Sequence, residues 1–137
     1  MKNKNLNKVL VVDFGSQTTQ LIIRRIREIG VYCEIISYNN LYSKIRKNRP
    51  KAIILSGGPA SSFKKKSPKL NKQVLKMNIP ILGICYGMQI ICQTLGGKVQ
   101  SSNSREFGKA EIKILKKNLL FNRIIFSKNN ASQVWMS

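Results

Sequence analysis

Residues 81–89 read Ile81-Leu82-Gly83-Ile84-Cys85-Tyr86-Gly87-Met88-Gln89. An apolar run suited to a buried strand gives way to a helix-forming stretch, and a cysteine stands on the junction with glycine two residues before it and two after. This is the geometry of a nucleophile elbow, a sharp and strained turn that lifts a reactive side chain clear of a sheet. Glycines at those offsets let other backbone pass close by. A thiol at a helix start also faces the positive end of the macrodipole, which favours the thiolate. The same pattern also fits a plainer interpretation, a small cysteine buried in a strand-to-helix turn. Cys33 and Cys92 have no such setting and read as core residues.

Outward from the elbow, strands and helices alternate. Ile79 to Ile84 reads as a strand and Tyr86 to Leu95 as a helix closed by Gly96-Gly97. Upstream, Ser67-Pro68 has the form of an N-cap with proline at the first helical position, opening a helix to about Met77. Strands are expected at Val9 to Val12, Val31 to Ser37 and Lys51 to Ser56, with helices from Gln17 to Ile29 and from Leu41 to Lys47. The alternation predicts an α/β fold, a mostly parallel sheet with helices on both faces. After Val99 the rhythm changes: Ala110 to Leu115, Ile124 to Phe126 and the segment from Gln133 read as strands, an antiparallel extension. No repeat or linker interrupts the chain, so residues 1–137 read as one domain. Ser56-Gly57-Gly58-Pro59 follows the third strand, where loops of a parallel sheet bind ligands. Glycine-rich backbone there can aim N–H groups at a developing oxyanion, together with the N–H of Tyr86. Alone, the tetrad is also an ordinary turn, and it holds no phosphate-loop pattern.

The composition narrows the classes. With 25 Lys plus Arg against 5 Asp plus Glu, the net charge is +20, and there is no histidine. A strongly basic domain can bind nucleic acid or an anionic membrane. The lysines are scattered, however, and Lys, Ile and Asn are all abundant, as coding drift toward AT-rich codons would produce. No recognition helix or base-stacking aromatic motif appears, so neither specific nucleic acid nor membrane is expected as a partner. The start lacks a signal peptide and no apolar run reaches membrane-spanning length, which reads as a cytoplasmic protein. Three cysteines without a CxxC pair support neither a disulfide framework nor a zinc site, and no metal site is expected. The missing imidazole removes the usual general base.

Taken in order, Asp13-Phe14-Gly15-Ser16-Gln17, Thr19-Gln20-Leu21, Gly30-Val31-Tyr32-Cys33-Glu34, Ile54-Leu55-Ser56-Gly57-Gly58-Pro59, Gly83-Ile84-Cys85-Tyr86-Gly87-Met88-Gln89, Leu95-Gly96-Gly97, Arg105-Glu106-Phe107-Gly108 and Val134-Trp135-Met136-Ser137 resemble the class I glutamine amidotransferase domains of GMP synthases. The resemblance implies a flavodoxin-like sheet and a glutaminase supplying ammonia for the conversion of XMP to GMP in purine biosynthesis. By the same resemblance, Cys85 is the nucleophile that forms a glutamyl thioester, the backbone N–H groups of Gly58 and Tyr86 form the oxyanion hole, and Gln89 and Ser137 bind the substrate L-glutamine. It implies no cofactor in this domain, with ATP and magnesium used by an ATP-pyrophosphatase domain or subunit that is the expected partner. The role of Arg105-Glu106-Phe107-Gly108 is not assigned.

In that family a histidine, oriented by a glutamate two residues later, serves the thiol. Neither is found at the end of this sequence, which stops where the family pattern continues toward them, so the domain reads as partial, and the synthetase and dimerisation domains as absent. The expectation is a chain with little or no glutaminase turnover of its own, either a gene fragment or a chain completed by a second polypeptide. The alternatives are a non-catalytic remnant that binds a partner, or a basic nucleic-acid-binding domain.

Overall fold

The computed structural model describes residues 7–58, 67–102, 107–122 and 129–136. Strand β1 (Val9–Asp13) is a β-branched run in which Leu10, Val11 and Val12 are fully buried. Such burial on both faces is what a central parallel strand requires. Helix α1 (Thr18–Glu28) leads to β2 (Cys33–Ser37), a 3-10 turn and α2 (Leu41–Lys47), and then to β3 (Ala52–Leu55). Helix α3 (Lys72–Leu75), β4 (Ile81–Gly83) and α4 (Tyr86–Thr94) follow. The four strands pair in parallel in the order β2-β1-β3-β4, with Val9 opposite Cys33 and Ala52, and Ile53 opposite Ile81.

Because successive strand residues face opposite ways, the sheet feeds two cores. Leu10, Val12, Ile53 and Leu55 pack with Leu41, Ile45, Val74 and Ile90 from α2, α3 and α4. On the other face Val11 and Cys33 pack with Ile23 of α1. The sheet is therefore parallel, with helices on both faces, as the alternation predicts. Order β2-β1-β3 is the flavodoxin-like arrangement, in which the chain leaves β1 in one direction and returns on its other side. That reversal opens a crevice beyond the carboxyl ends of β1 and β3.

Two expected elements are shorter than the sequence suggests. The helix expected from Ser67 to Met77 spans only Lys72–Leu75, capped by Asn71, whose side chain accepts from the Gln73 N–H at 3.0 Å. Residues 68–70 stay out of the helix because Leu70 is drawn into the core and the Pro68 carbonyl accepts the Tyr86 hydroxyl. Strand β4 has three residues because Pro80 has no N–H to give, and its carbonyl accepts from the Ile53 N–H at 2.9 Å.

The chain divides into two compact units, Met1–Gln100 and Ser101–Ser137. In the second, β5 (Gly108–Lys113) and β6 (Ala131–Met136) pair antiparallel with Gly108 opposite Met136. The antiparallel expectation holds for these two strands, with β5 beginning two residues before the expected Ala110. The strand expected at Ile124 to Phe126 lies outside the described residues.

At the amino end of the sheet, Lys8 is buried to 2% side-chain exposure with its ammonium 3.5 Å from Glu34. Lys44 approaches the same carboxylate at 3.2 Å, and the Tyr32 hydroxyl donates to it at 3.2 Å. Burial pushes the Glu34 carboxyl up, but the Lys44 hydrogen bond and the Lys8 charge outweigh it and hold it below its ordinary value. A depressed carboxyl contributes stability that is present above the unfolded carboxylate range and is lost as pH falls through the folded value. Glu34→Gln should cost about 3 kcal/mol, since it leaves a buried ammonium without its carboxylate. Denaturant melts of both chains from neutral to acid pH check this: the gap should close as pH falls below the carboxylate range, and a constant gap would contradict it.

Candidate active site

Three strand ends meet at one edge of the sheet. Strand β1 passes into Phe14-Gly15-Ser16-Gln17, β3 into Ser56-Gly57-Gly58, and β4 through Ile84 to Cys85 and α4. Cys85 is the N-cap of α4 and takes φ 51° and ψ −111°, a left-handed backbone that a side chain rarely adopts. Its thiol is exposed. Among the described residues only Asn78 and Asn130 share a positive φ without being glycine, and asparagine tolerates that region where cysteine does not. Such strain persists only where surrounding packing over-determines it.

The packing is backbone against backbone. The Ile84 N–H donates to the Leu55 carbonyl at 2.9 Å, and the Gly87 N–H to the Ser56 carbonyl at 3.1 Å. A methyl group on Gly83 would lie 2.6 Å from the Met88 nitrogen; one on Gly87 would lie 2.6 Å from the Leu55 Cβ and collide with the Leu55 carbonyl. The glycines that flank Cys85 in sequence thus let α4 press onto β3 and β4.

The glycine loop lies against the same cysteine. A methyl on Gly57 would be 3.7 Å from the Cys85 Cβ, and one on Gly58 would touch Phe14 at 3.1 Å and the Tyr86 ring at 3.4 Å. Phe14 and Tyr86 are in ring contact at 5.1 Å between centroids, and burial raises the Tyr86 hydroxyl above its ordinary pKa. The Tyr86 N–H belongs to the first turn of α4, whose donors have no partner within the helix. The fold therefore brings Cys85, Gly58 and Tyr86 together. Gln89 lies one turn along α4, its N–H donating to the Cys85 carbonyl at 3.2 Å. Ser137 lies outside the described residues, as do Pro59, Arg105 and Glu106.

Four hydroxyls that sequence reasoning left without an individual role also gather here. Ser16 and Thr18 share a hydrogen bond at 2.7 Å, and their oxygens would lie 3.4 and 3.2 Å from a methyl on Gly57. Behind them Thr19 bonds Ser56 at 2.9 Å and Asp13 at 3.0 Å. The local sequence carries little signal for them, since the Thr19 partner Ser56 is 37 residues away in sequence. The other cysteines match their core reading in part, Cys33 being buried and Cys92 half-buried with its thiol 3.8 Å from the Lys98 carbonyl. Among the described residues no three His, Cys, Asp or Glu side chains are placed to hold a metal, and no helix is long and apolar enough to cross a membrane.

A parallel sheet with a strained cysteine at a strand-to-helix junction, facing a glycine loop, defines a class, and the chain belongs to it: residues 10–137 match the class-I glutamine amidotransferase family. Within the family, the chain is 53% identical to the glutamine-hydrolysing GMP synthase of Brachyspira hyodysenteriae over 97% of its own length. It is 51% identical to that of Clostridium novyi over 94% of its length, and 50% identical to that of Tolumonas auensis over 99%. It spans only 25%, 24% and 27% of those relatives, about a quarter. The crystal structure of a Thermoplasma acidophilum protein, described as one subunit of a GMP synthase, matches 95% of this chain and 63% of its own, with TM-score 0.69 and 26% identity.

Gly87→Ala should force α4 off the sheet at a cost of about 3 kcal/mol, lowering the melting temperature by about 10 °C. Calorimetry checks this; an unchanged melt would mean that α4 does not need the close approach.

Proposed function

We propose that this chain is the amidotransferase portion of a GMP synthase, with Cys85 attacking the side-chain amide of L-glutamine. The observation that carries the reading is Cys85 itself, an exposed thiol at φ 51° beside Ser56-Gly57-Gly58. The thiolate adds to the amide carbon, and the negative charge that develops on the amide oxygen is met by the N–H groups of Gly58 and Tyr86. Collapse expels the nitrogen, which takes a proton and leaves as ammonia, and a glutamyl thioester remains. Water then cleaves the thioester, returning the thiol and glutamate. Gln89, one turn along α4 from Cys85, helps hold the substrate glutamine.

Two steps need a proton carrier: protonation of the departing nitrogen and activation of the water. The 137 residues contain no histidine. We therefore infer that the chain alone turns over little or no glutamine, and that a segment bearing an imidazole and its orienting carboxylate completes the site. Its partner is the ATP-pyrophosphatase module, where the ammonia converts XMP to GMP in the cytoplasm. ATP and magnesium act on that module, and the chemistry at Cys85 requires no cofactor.

A chloroketone analogue of glutamine, with CH2Cl in place of the amide nitrogen, tests the reading. Cys85 should displace its chloride and form a thioether, glutamine should slow the reaction, and Cys85→Ala should abolish it at the α4 peptide. Labelling indifferent to glutamine would overturn the substrate assignment. Ammonia release from glutamine by the purified chain should stay near the Cys85→Ala background, and steady turnover well above it would show that no imidazole is needed.

A further inference from the structure

Four segments leave the carboxyl ends of the strands, and in the strand order β2-β1-β3-β4 they carry Tyr38, Phe14, Gly58 and Tyr86 in turn. Three rings and one glycine therefore stand in a row along the edge of the sheet. Tyr38 stacks on Phe14 with ring centroids 5.6 Å apart, and Phe14 meets Tyr86 at 5.1 Å. Neighbouring strands are about 4.8 Å apart, so β1 and β4, on either side of β3, are separated by about 10 Å. The rings of Phe14 and Tyr86 can meet beyond the end of β3 because Gly58 puts no side chain between them.

That meeting confines Gly58 from two sides. A methyl on it would lie 3.1 Å from the Phe14 Cβ and 3.2 Å from the Phe14 carbonyl oxygen, with the root of the Tyr86 ring at 3.4 Å. Glycine backbone left to itself turns through a wide range of φ and ψ, so the direction of the Gly58 N–H depends on these walls. The Phe14 wall is main chain and Cβ, continuous with β1. The Tyr86 wall is a ring, and it stays in place only if something backs it. At its far end the hydroxyl donates to the Pro68 carbonyl, and beside it lies the Phe14 ring, itself backed by Tyr38. Phe14 is 5% exposed and Tyr86 2%.

We propose that Phe14 is a positioning residue for the oxyanion site: its ring, backed by Tyr38, holds the Tyr86 ring against Gly58 and so keeps the Gly58 N–H beside the Tyr86 N–H. Phe14 acts through Gly58 and Tyr86 without touching glutamine. The inference rests on the amidotransferase reading above, and it adds to that reading a physical link between the two donors, which come from different strand ends.

Two reagents at one thiol separate positioning from folding. The chloroketone analogue carries a carbonyl for the oxyanion site to polarise, whereas dithiodipyridine reacts by disulfide exchange and has none. Rates are followed at the Cys85 peptide by mass spectrometry. Misplacing a reacting group by about 1 Å costs up to about a hundredfold, so Phe14→Leu, which loosens the wall without emptying it, should slow the chloroketone about tenfold. The disulfide reaction should stay within about twofold. Tyr38→Leu should act in the same direction and less strongly, and the double variant should be no slower than Phe14→Leu alone, because Tyr38 acts through Phe14. Tyr38→Leu carries the comparison if Phe14→Leu loses its cooperative melt. Unchanged chloroketone rates in both chains, or equal slowing of the two reagents, would overturn the positioning role. Loss of glutamine protection in the unaltered chain would instead remove the amidotransferase reading on which that role rests.

Discussion

The close contact of α4 with the backbone of β3 and β4 is the constraint on which the rest of this structure depends. Gly83 and Gly87 bring the helix so near that a single methyl at either would strike main-chain atoms. The residue between them has no freedom to relax, and Cys85 is held at φ 51° with its thiol in the open. The same contact aligns the first turn of α4 with the end of β3, since the Gly87 N–H reaches the Ser56 carbonyl. One packing decision thereby places the Cys85 thiol, the Tyr86 N–H and the glycine loop side by side. Their common location beyond the carboxyl ends of β3 and β4, beside that of β1, follows from the strand order.

On the proposed reading, the arrangement supplies one part of an acyl-transfer site. It offers a thiol and backbone donors for developing negative charge, both fixed before a substrate arrives, which is the condition under which such donors act most strongly. It offers no imidazole to move protons. Behind the loop, Asp13, Thr19 and Ser56 are joined by hydrogen bonds. The second charged cluster, Lys8, Lys44 and Glu34, sits at the opposite end of the strands, where holding the sheet together rather than reacting is the physical consequence of pairing a buried ammonium.

Much of this was legible in the residues. Val9 to Val12 and Ala52 to Leu55 announced buried strands through β-branched continuity, and the helix at Tyr86 followed from the glycine-bounded apolar pattern. The elbow itself could be seen in Gly83, Cys85 and Gly87, although the clash that makes those glycines necessary depends on Leu55, far away in sequence. What failed to show was long-range competition for hydrogen bonds. Ser67-Pro68 has good helix-start chemistry, but Leu70 and the Pro68 carbonyl are claimed by the core and by Tyr86. The contacts among Asp13, Thr19 and Ser56 were equally hidden, because these residues come from two loops and a helix start that meet only once the sheet is formed.

The central claim is that Cys85 and the N–H groups of Gly58 and Tyr86 share one reacting centre. A crystal structure of the chain carrying the chloroketone adduct tests it most directly. The account predicts the adduct on Cys85, with its carbonyl oxygen about 2.7–3.2 Å from both nitrogens. An adduct oxygen facing solvent, with the Gly58 N–H directed away from it, would contradict the account.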